Sequence, residues 1–327
     1  MLLQPRNLAD LAQGSAGETT PRTVGVHDVV NFGCLTGDYS RVHFDDHLGA
    51  TLPRGSRIAH GLLSASLAVG GLSQNAPQTL GRRDPAAYLW SLEVNYRQPV
   101  LPGDTLRTRW RAAPERLGDR TTLLRTDYEI VNHDDSRVGD GHLRLALRAT
   151  AAGVTVPPAP PPDSWPAATF DPKPGRVYFL EDFRPGSHAG ETEGHTLTEA
   201  EVSAYGALTG DNGGLYCDET FAHLGCFGRR IVQPMLAFDV GFALWLRDWC
   251  RMGTPDSSAA GHLCDRWQFH GPFFPGDTLR CRYRTLAARA SRTRPGMGLL
   301  TCGLQMLDQH DAVRLSAEVV MFYPGRK

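Results

Sequence analysis

Asp38 and His43 stand five residues apart in LTGDYSRVHFDD, and a second histidine, His60, follows in IAHG at 58–61. A carboxylate and an imidazole on one short loop can converge on the same small molecule. Because imidazole titrates near neutrality, such a pair can hold a water and exchange protons with it. Taken alone, the same residues are a turn aspartate and a satisfied loop histidine, so their surroundings must decide.

Those surroundings are duplicated. AGET at 16–19 returns at 189–192, LTGD at 35–38 at 208–211, and PGDTLR at 102–107 at 275–280, all at one offset of 173 residues. The same offset matches Ile58 to Ile231, Pro99 to Pro272, and Arg107 and Arg109 to Arg280 and Arg282, with no net insertion between residues 16 and 109. Self-similarity at a fixed offset implies a repeated structural unit. At 327 residues the chain has room for two such units, each with its own core. Between them AAGVTVPPAPPPDSWPAATFDPKPG carries eight prolines from Pro157 to Pro174, a composition that favours an extended polyproline II connector. The expected organisation is a first domain over 1–150, a connector over 151–174 and a second domain over 175–327.

Each half repeats one coarse pattern. A helix is expected near Val26 and again at VSAYGAL, where Thr198 and Glu201 have capping-box spacing. Long apolar runs from Gly61 (GLLSASLAVGGL) and Met235 (MLAFDVGFALWLRDW) read as buried central helices. YLWSLEVNYRQPV, TLRTRWRA, TTLLRTDYEIVN and HLRLALRA read as strands bounded by Gly, Pro and Asp turns. A long helix followed by antiparallel strands predicts an α+β unit with the sheet wrapped over the helix.

Composition narrows the function classes. A formal net charge of −1 provides no basic field for nucleic acid or anionic lipid. MLLQPRNLADL has no secretory pattern, and no stretch reaches the roughly 18 apolar residues that span a bilayer, so a cytoplasmic protein without a membrane partner is expected. Seven scattered cysteines with no CxxC read as reduced thiols. His43, Asp45, Asp46 and His47 offer ligand types but no second cluster to complete a shell, so no metal and no cofactor is expected. Asp45 is read as an orienting partner or a helix cap.

The combination of TGDxxxxHxD, IAHG opening an apolar helix and a PGDTL turn resembles the MaoC-like hydratases, which include the (R)-specific enoyl-CoA hydratases. The resemblance covers nearly the whole chain, including VYFLEDFRPG at 177–186. It implies a tandem, or double, hotdog whose halves pack as a pseudo-dimer, with an acyl-CoA or acyl-carrier-protein thioester entering between them. It also implies that Asp38 and His43 position water and shuttle protons in (R)-specific hydration of trans-2-enoyl thioesters, or the reverse dehydration of 3-hydroxyacyl thioesters. The oxyanion donor is then expected to be the N–H of Gly61 in the first turn of the central helix, where amides lack intrahelical partners and the dipole favours negative charge.

The second half provides an internal control. Asp38 maps to Asp211, but His43 maps to Tyr216, His60 to Gln233 and Gly61 to Pro234. Proline has no N–H to donate, yet is a good first residue for a helix. One intact and one degenerate site are therefore expected. His60 either joins the site or braces its loop. Ser66, in the small-residue run SASLAVGG, either lines an acyl channel or lets a sheet approach the helix.

Many relatives carry Asn-Pro where this chain has Ser40 and Arg41, so a supporting side-chain amide is missing. Arg41 either pairs with a carboxylate of a dicarboxylic acyl thioester or a CoA phosphate, or is a solvated surface residue. Alternative functions are hydration of a dicarboxylic, branched or carrier-bound thioester, a hotdog thioesterase, and a non-catalytic acyl-thioester-binding subunit. A homodimer of the fused pair is also compatible with the sequence.

Overall fold

The computed structural model describes residues 15–75, 87–117, 121–146, 157–253 and 261–326. The first half runs β1 (Ser15–Glu18), β2 (Arg22–Thr23), α1 (Val26–Thr36), short α2 (Arg41–Phe44) and α3 (Asp46–Thr51), central helix α4 (Gly61–Asn75), then β3 (Tyr88–Tyr96), β4 (Thr105–Leu117), β5 (Thr121–Val131) and β6 (Arg137–Ala146). The second repeats it: β7 (Gly190–Glu191), β8 (His195–Thr196), α5 (Glu199–Thr209), α6 (Gly214–Cys217), α7 (Glu219–His223), central helix α8 (Pro234–Trp249), β9 (Gly261–Phe269), β10 (Thr278–Ala290), β11 (Met297–Leu307) and β12 (Val313–Pro324).

All strands join one antiparallel sheet in the order β1-β4-β5-β6-β3-β9-β12-β11-β10-β7, with β2 on β4 and β8 on β10. The order is palindromic about the β3–β9 joint, as a double hotdog requires. At its centre Glu93 lies opposite Arg266, which is its own counterpart at the 173-residue offset, and Arg266 Nε donates to Glu93 Oε2 at 2.9 Å. A symmetric dimer would set like against like at this point. Fusion allows opposite charges to face each other.

Local sequence explains the elements. Thr198 accepts from Glu201 N–H while the Glu201 side chain accepts from Thr198 N–H at 2.7 Å, the expected capping box. In the first half Asp28 accepts from Gly25 N–H at 2.7 Å and does the same for α1. Helix α8 is buried at every residue from Pro234 to Trp245, as a helix stretch that is apolar on nearly every face must be. Each fully buried leucine or phenylalanine along it contributes about 1.5–3 kcal/mol of transfer free energy.

The repeated motifs bind one another. Glu18 of the first AGET pairs with Arg107 and Arg109 of the first PGDTLR, and Glu191 pairs with Arg280 and Arg282. The PGD turns are closed by Asp104 accepting from Leu101 N–H and Asp277 from Phe274 N–H. These motifs recur because they hold the fold together.

The small-residue run has a different neighbour from the expected sheet. A Cβ on Gly70 would lie 2.0 Å from the Thr209 carbonyl oxygen, so α4 is packed directly against the LTGD loop of the other half. Residues 157–174 contain no helix or strand, and Pro157 and Ala159 accept from Trp90 Nε1 and His270 Nδ1, one in each half. Residues 151–156 lie outside the described residues. No disulfide links any two of the seven cysteines. No helix among the described residues is long and apolar enough to cross a membrane.

Candidate active site

Helix α1 ends at Gly37, whose φ of 88° is left-handed and suited to glycine. Thr36 Oγ1 donates to Phe32 O, and the chain reverses there to leave Asp38 buried at the helix end. LTGD does the same in the second half, where Gly210 has φ 84° and Thr209 Oγ1 donates to Tyr205 O. The shared motif is thus a helix-ending device, and the aspartate survives in both halves.

Asp38 Oδ1 accepts from Ser40 N–H at 3.1 Å and from the Ser40 hydroxyl at 2.5 Å. Ser40 therefore supports the carboxylate. The remaining oxygen, Oδ2, lies 4.0 Å from His60 Nε2.

His43 sits on α2, and two bonds tie that turn to the IAHG loop: Ile58 N–H donates to Val42 O at 3.0 Å, and His43 Nδ1 lies 2.9 Å from Ile58 O. A carbonyl only accepts, so Nδ1 carries the hydrogen and Nε2 is the basic nitrogen. Burial lowers the His43 pKa below 6.5, opposed by the Asp38 charge and the Ile58 bond and assisted by the charge of His262. A neutral imidazole base results at neutral pH.

His60 Nε2 donates to Asp38 O at 3.0 Å, and its ring lies against that of His43 with centroids 3.8 Å apart and planes tilted 31°. Burial, with the His43 charge behind it, pushes the His60 pKa down to about 3. Gln233, its counterpart, makes the equivalent bond, donating to Asp211 O at 3.2 Å. The side chain at this position therefore braces the loop in both halves, and in His60 the Nδ1 is buried and unpartnered among the described residues.

Gly61 begins α4, and its N–H has no acceptor among the described residues. A Cβ here would lie 3.0 Å from the Tyr96 ring, so only glycine keeps the approach to this amide open. In the second half Pro234 occupies the first helical position and offers no N–H.

Ligand atoms of Asp38, His43 and His60 come within 4.8 Å of one another, which is close enough to raise a metal site. One nitrogen of each imidazole, however, is already engaged by a backbone carbonyl, His43 Nδ1 by Ile58 O and His60 Nε2 by Asp38 O, and the rings lie against each other with planes tilted 31°. The donor set fits proton transfer better.

Two sequence candidates lie elsewhere. Arg41 forks onto Asp45 through Nε at 3.1 Å and Nη2 at 2.6 Å, and its side chain is 74% exposed. That pairing is the surface reading, and Asp45 also caps α3 by accepting from Leu48 N–H. Ser66 is buried against the second half, its one hydroxyl hydrogen within reach of Leu62 O at 2.7 Å and of Asp239 Oδ2 at 3.0 Å. Its hydroxyl joins the two halves.

Residue-by-residue reading missed Tyr96, His262 and Asp265. Tyr96 O–H donates to Asp265 Oδ2 at 2.8 Å, and His262 Nε2 lies 2.6 Å from Asp265 Oδ1. A signal existed: the 173-residue offset sets His262 and Asp265 against Leu89 and Leu92.

The MaoC-like domain family matches residues 10–133 and 182–297, one segment in each half. A 3-hydroxybutyryl-CoA dehydratase of Methylorubrum extorquens is 35% identical over 102 residues, 30% of this chain and 61% of that protein. Protein MaoC of Klebsiella aerogenes is 34% identical over 100 residues, 31% of this chain and 28% of its own length. The match thus spans less than two thirds of either relative. Among solved structures, a MaoC domain protein dehydratase from Chloroflexus aurantiacus superposes with a TM-score of 0.74 at 20% identity, covering 99% of both chains. A Mycobacterium tuberculosis protein described as having a double hotdog fold gives 0.71 at 19% identity, covering 97% of this chain and 98% of its own. At these identities the likeness concerns the fold.

Proposed function

Because the chain belongs to the MaoC-like domain family, we propose that it adds water to trans-2-enoyl-CoA thioesters with (R) stereochemistry, or removes water from (R)-3-hydroxyacyl-CoA, at a single site in its first half. The observation that carries this reading is the asymmetry between the halves. The second keeps the loop, the aspartate and the helix, yet has Tyr216 and Pro234 where the first has a basic imidazole and an open amide.

In the proposed reaction a water is held between Asp38 Oδ2 and His43 Nε2. His43 takes its proton as the hydroxyl adds to C3, and charge moves onto the thioester oxygen, where Gly61 N–H donates to it. The proton then passes from His43 to C2, so one water is added in total. His43 can act as the base because burial keeps it neutral, while Ser40 fixes Asp38 as an acceptor.

The 3-hydroxybutyryl-CoA dehydratase relative supports a CoA thioester as substrate. Purified protein incubated with trans-2-butenoyl-CoA should lose the conjugated thioester absorbance and yield the (R)-3-hydroxy product on chiral analysis. Release of free thiol from saturated butanoyl-CoA would point instead to a thioesterase.

A further inference from the structure

Beside the degenerate half lies a cavity lined by Leu72, Leu89, Leu143 and Leu145 of the first half together with Asp211 and Tyr216. Asp211 and Tyr216 are the counterparts of Asp38 and His43, so the cavity marks the space next to a catalytic loop and shows that the opposite half walls it. At the symmetric position the wall of the Asp38–His43 site must come from β9 and α8. The correspondence is secure in register: Leu89 pairs with Leu145 and Ser91 with Arg144, while His262 pairs with Met321 and Cys264 with Val320, with a bulge at the same place in each strand. His262 therefore occupies the place of Leu89, Asp265 that of Leu92, and Phe242 that of Val69.

Contacts agree with this placement. The His262 ring stacks on Phe242 with centroids 5.0 Å apart, and its charge is felt at His43. Asp265 is fully buried and accepts from both His262 and Tyr96, whose ring lies against Gly61. An ion pair taken out of water rarely stabilises more than a well-packed apolar pair of the same volume. The leucines at the symmetric positions demonstrate that this fold accepts the apolar solution. A histidine with 19% of its side chain exposed, anchored by a buried carboxylate, is better explained by something it meets.

We propose that His262, held by Asp265 and Tyr96, is a specificity-determining residue of the Asp38–His43 site and hydrogen-bonds a polar substituent, a hydroxyl or a carboxylate, at the far end of a short acyl group. The inference rests on the hydratase reading of that site. With Nε2 committed to Asp265, Nδ1 remains to accept from a hydroxyl or, when protonated, to donate to a carboxylate. Phe242 in the place of Val69 shortens the space available to the chain.

The test uses the full chain and its His262→Leu and His262→Gln variants on trans-2-butenoyl-CoA, its 4-hydroxy and 4-carboxy derivatives, and trans-2-octenoyl-CoA. Wild type should favour at least one polar derivative over the plain butenoyl and octenoyl thioesters by at least about tenfold in kcat/KM, and His262→Leu should erase that preference and gain on octenoyl-CoA. The 4-hydroxy and 4-carboxy arms separate the two ligand chemistries. An equal loss on all four substrates, or a wild-type preference for octenoyl-CoA, would overturn the assignment. If nothing is hydrated, the hydratase reading fails by itself, and calorimetric binding of butanoyl-CoA against 4-hydroxybutanoyl-CoA and 4-carboxybutanoyl-CoA still tests His262. Tighter binding of either polar thioester by wild type but not by His262→Leu supports the assignment, and equal binding of all three by wild type overturns it. Should His262→Leu fail to fold, His262→Met, which has no hydrogen-bonding nitrogen, replaces it in both assays.

Discussion

Ser66 Oγ donates to Asp239 Oδ2 at 3.0 Å, and the two residues, 173 apart in sequence, are each other's counterparts in the two halves. A homodimer would place two serines or two aspartates here. In the fused chain the pair is unequal, and Tyr205 O–H completes it by donating to Asp239 Oδ2 at 2.9 Å. Burial holds the Asp239 carboxyl well above the ordinary carboxylate pKa, helped by the charges of Asp265 and Asp38 and opposed by the bonds from Tyr205 and Ser66.

This carries a pH signature. The folded protein keeps a proton that the unfolded chain releases near pH 3.8, so the contribution of Asp239 is complete below that pH and is lost as pH rises toward its folded pKa. Asp239→Asn, which retains a donor and an acceptor without the charge, should therefore gain Tm relative to wild type as pH increases from 4.5 to 8. Calorimetric scans across that range check it, and a constant difference between the two proteins would contradict the assignment.

A second prediction concerns the acid limb of activity. His43 must be neutral to accept a proton, and its pKa is lowered by burial, so kcat/KM should stay on its plateau down to a pH below 6.5. His262 contributes to that lowering, so His262→Leu should move the limb to higher pH. A pH–rate profile of both proteins reads the shift, and its absence would show that His262 exerts no charge on His43 at the pH of the limb.

The oxyanion role of Gly61 can be tested with the residue that the second half already contains. Gly61→Pro removes one N–H at a first helical position, where the φ of proline is suited to the helix; because any Cβ here presses on the Tyr96 ring, Gly61→Ala, which adds the Cβ and keeps the N–H, is the reference for it. Turnover should fall about 10²–10³-fold while the circular dichroism spectrum is retained. Near-normal turnover would require another oxyanion donor.

Arg41 is paired with Asp45 at the surface, and exposed pairs of this kind contribute about 0–1 kcal/mol. Arg41→Ala should therefore change kcat/KM by the same small factor on monocarboxylic and dicarboxylic enoyl-CoAs. A selective loss on the dicarboxylic substrate would show that the arginine leaves Asp45 to meet it.

Much of this is legible in the sequence because the duplication keeps one register from AGET through PGDTLR. The offset identified the two units, the paired central helices and the contrast of His43 and Gly61 with Tyr216 and Pro234. Past that point three extra residues shift the match: Asp135 and Asp311, both with left-handed φ near 60°, bind equivalent arginines at an offset of 176. Asp38 is less distinctive than His43 and Gly61, since an aspartate, Asp211, stands on the same loop of the second half. What remained hidden depends on the joint between the halves. Tyr96 meets Asp265, and Ser66 meets Asp239, only once β3 pairs with β9 and the central helices come together. Periodicity within one half carries no information about those contacts.

The claim of one working site is tested most directly by comparing Asp38→Asn with Asp211→Asn on trans-2-butenoyl-CoA. Asp38→Asn should lower kcat by about 10²–10⁴-fold and Asp211→Asn should retain most of the wild-type rate. Equal losses in the two variants, or an active Asp38→Asn enzyme, would contradict it.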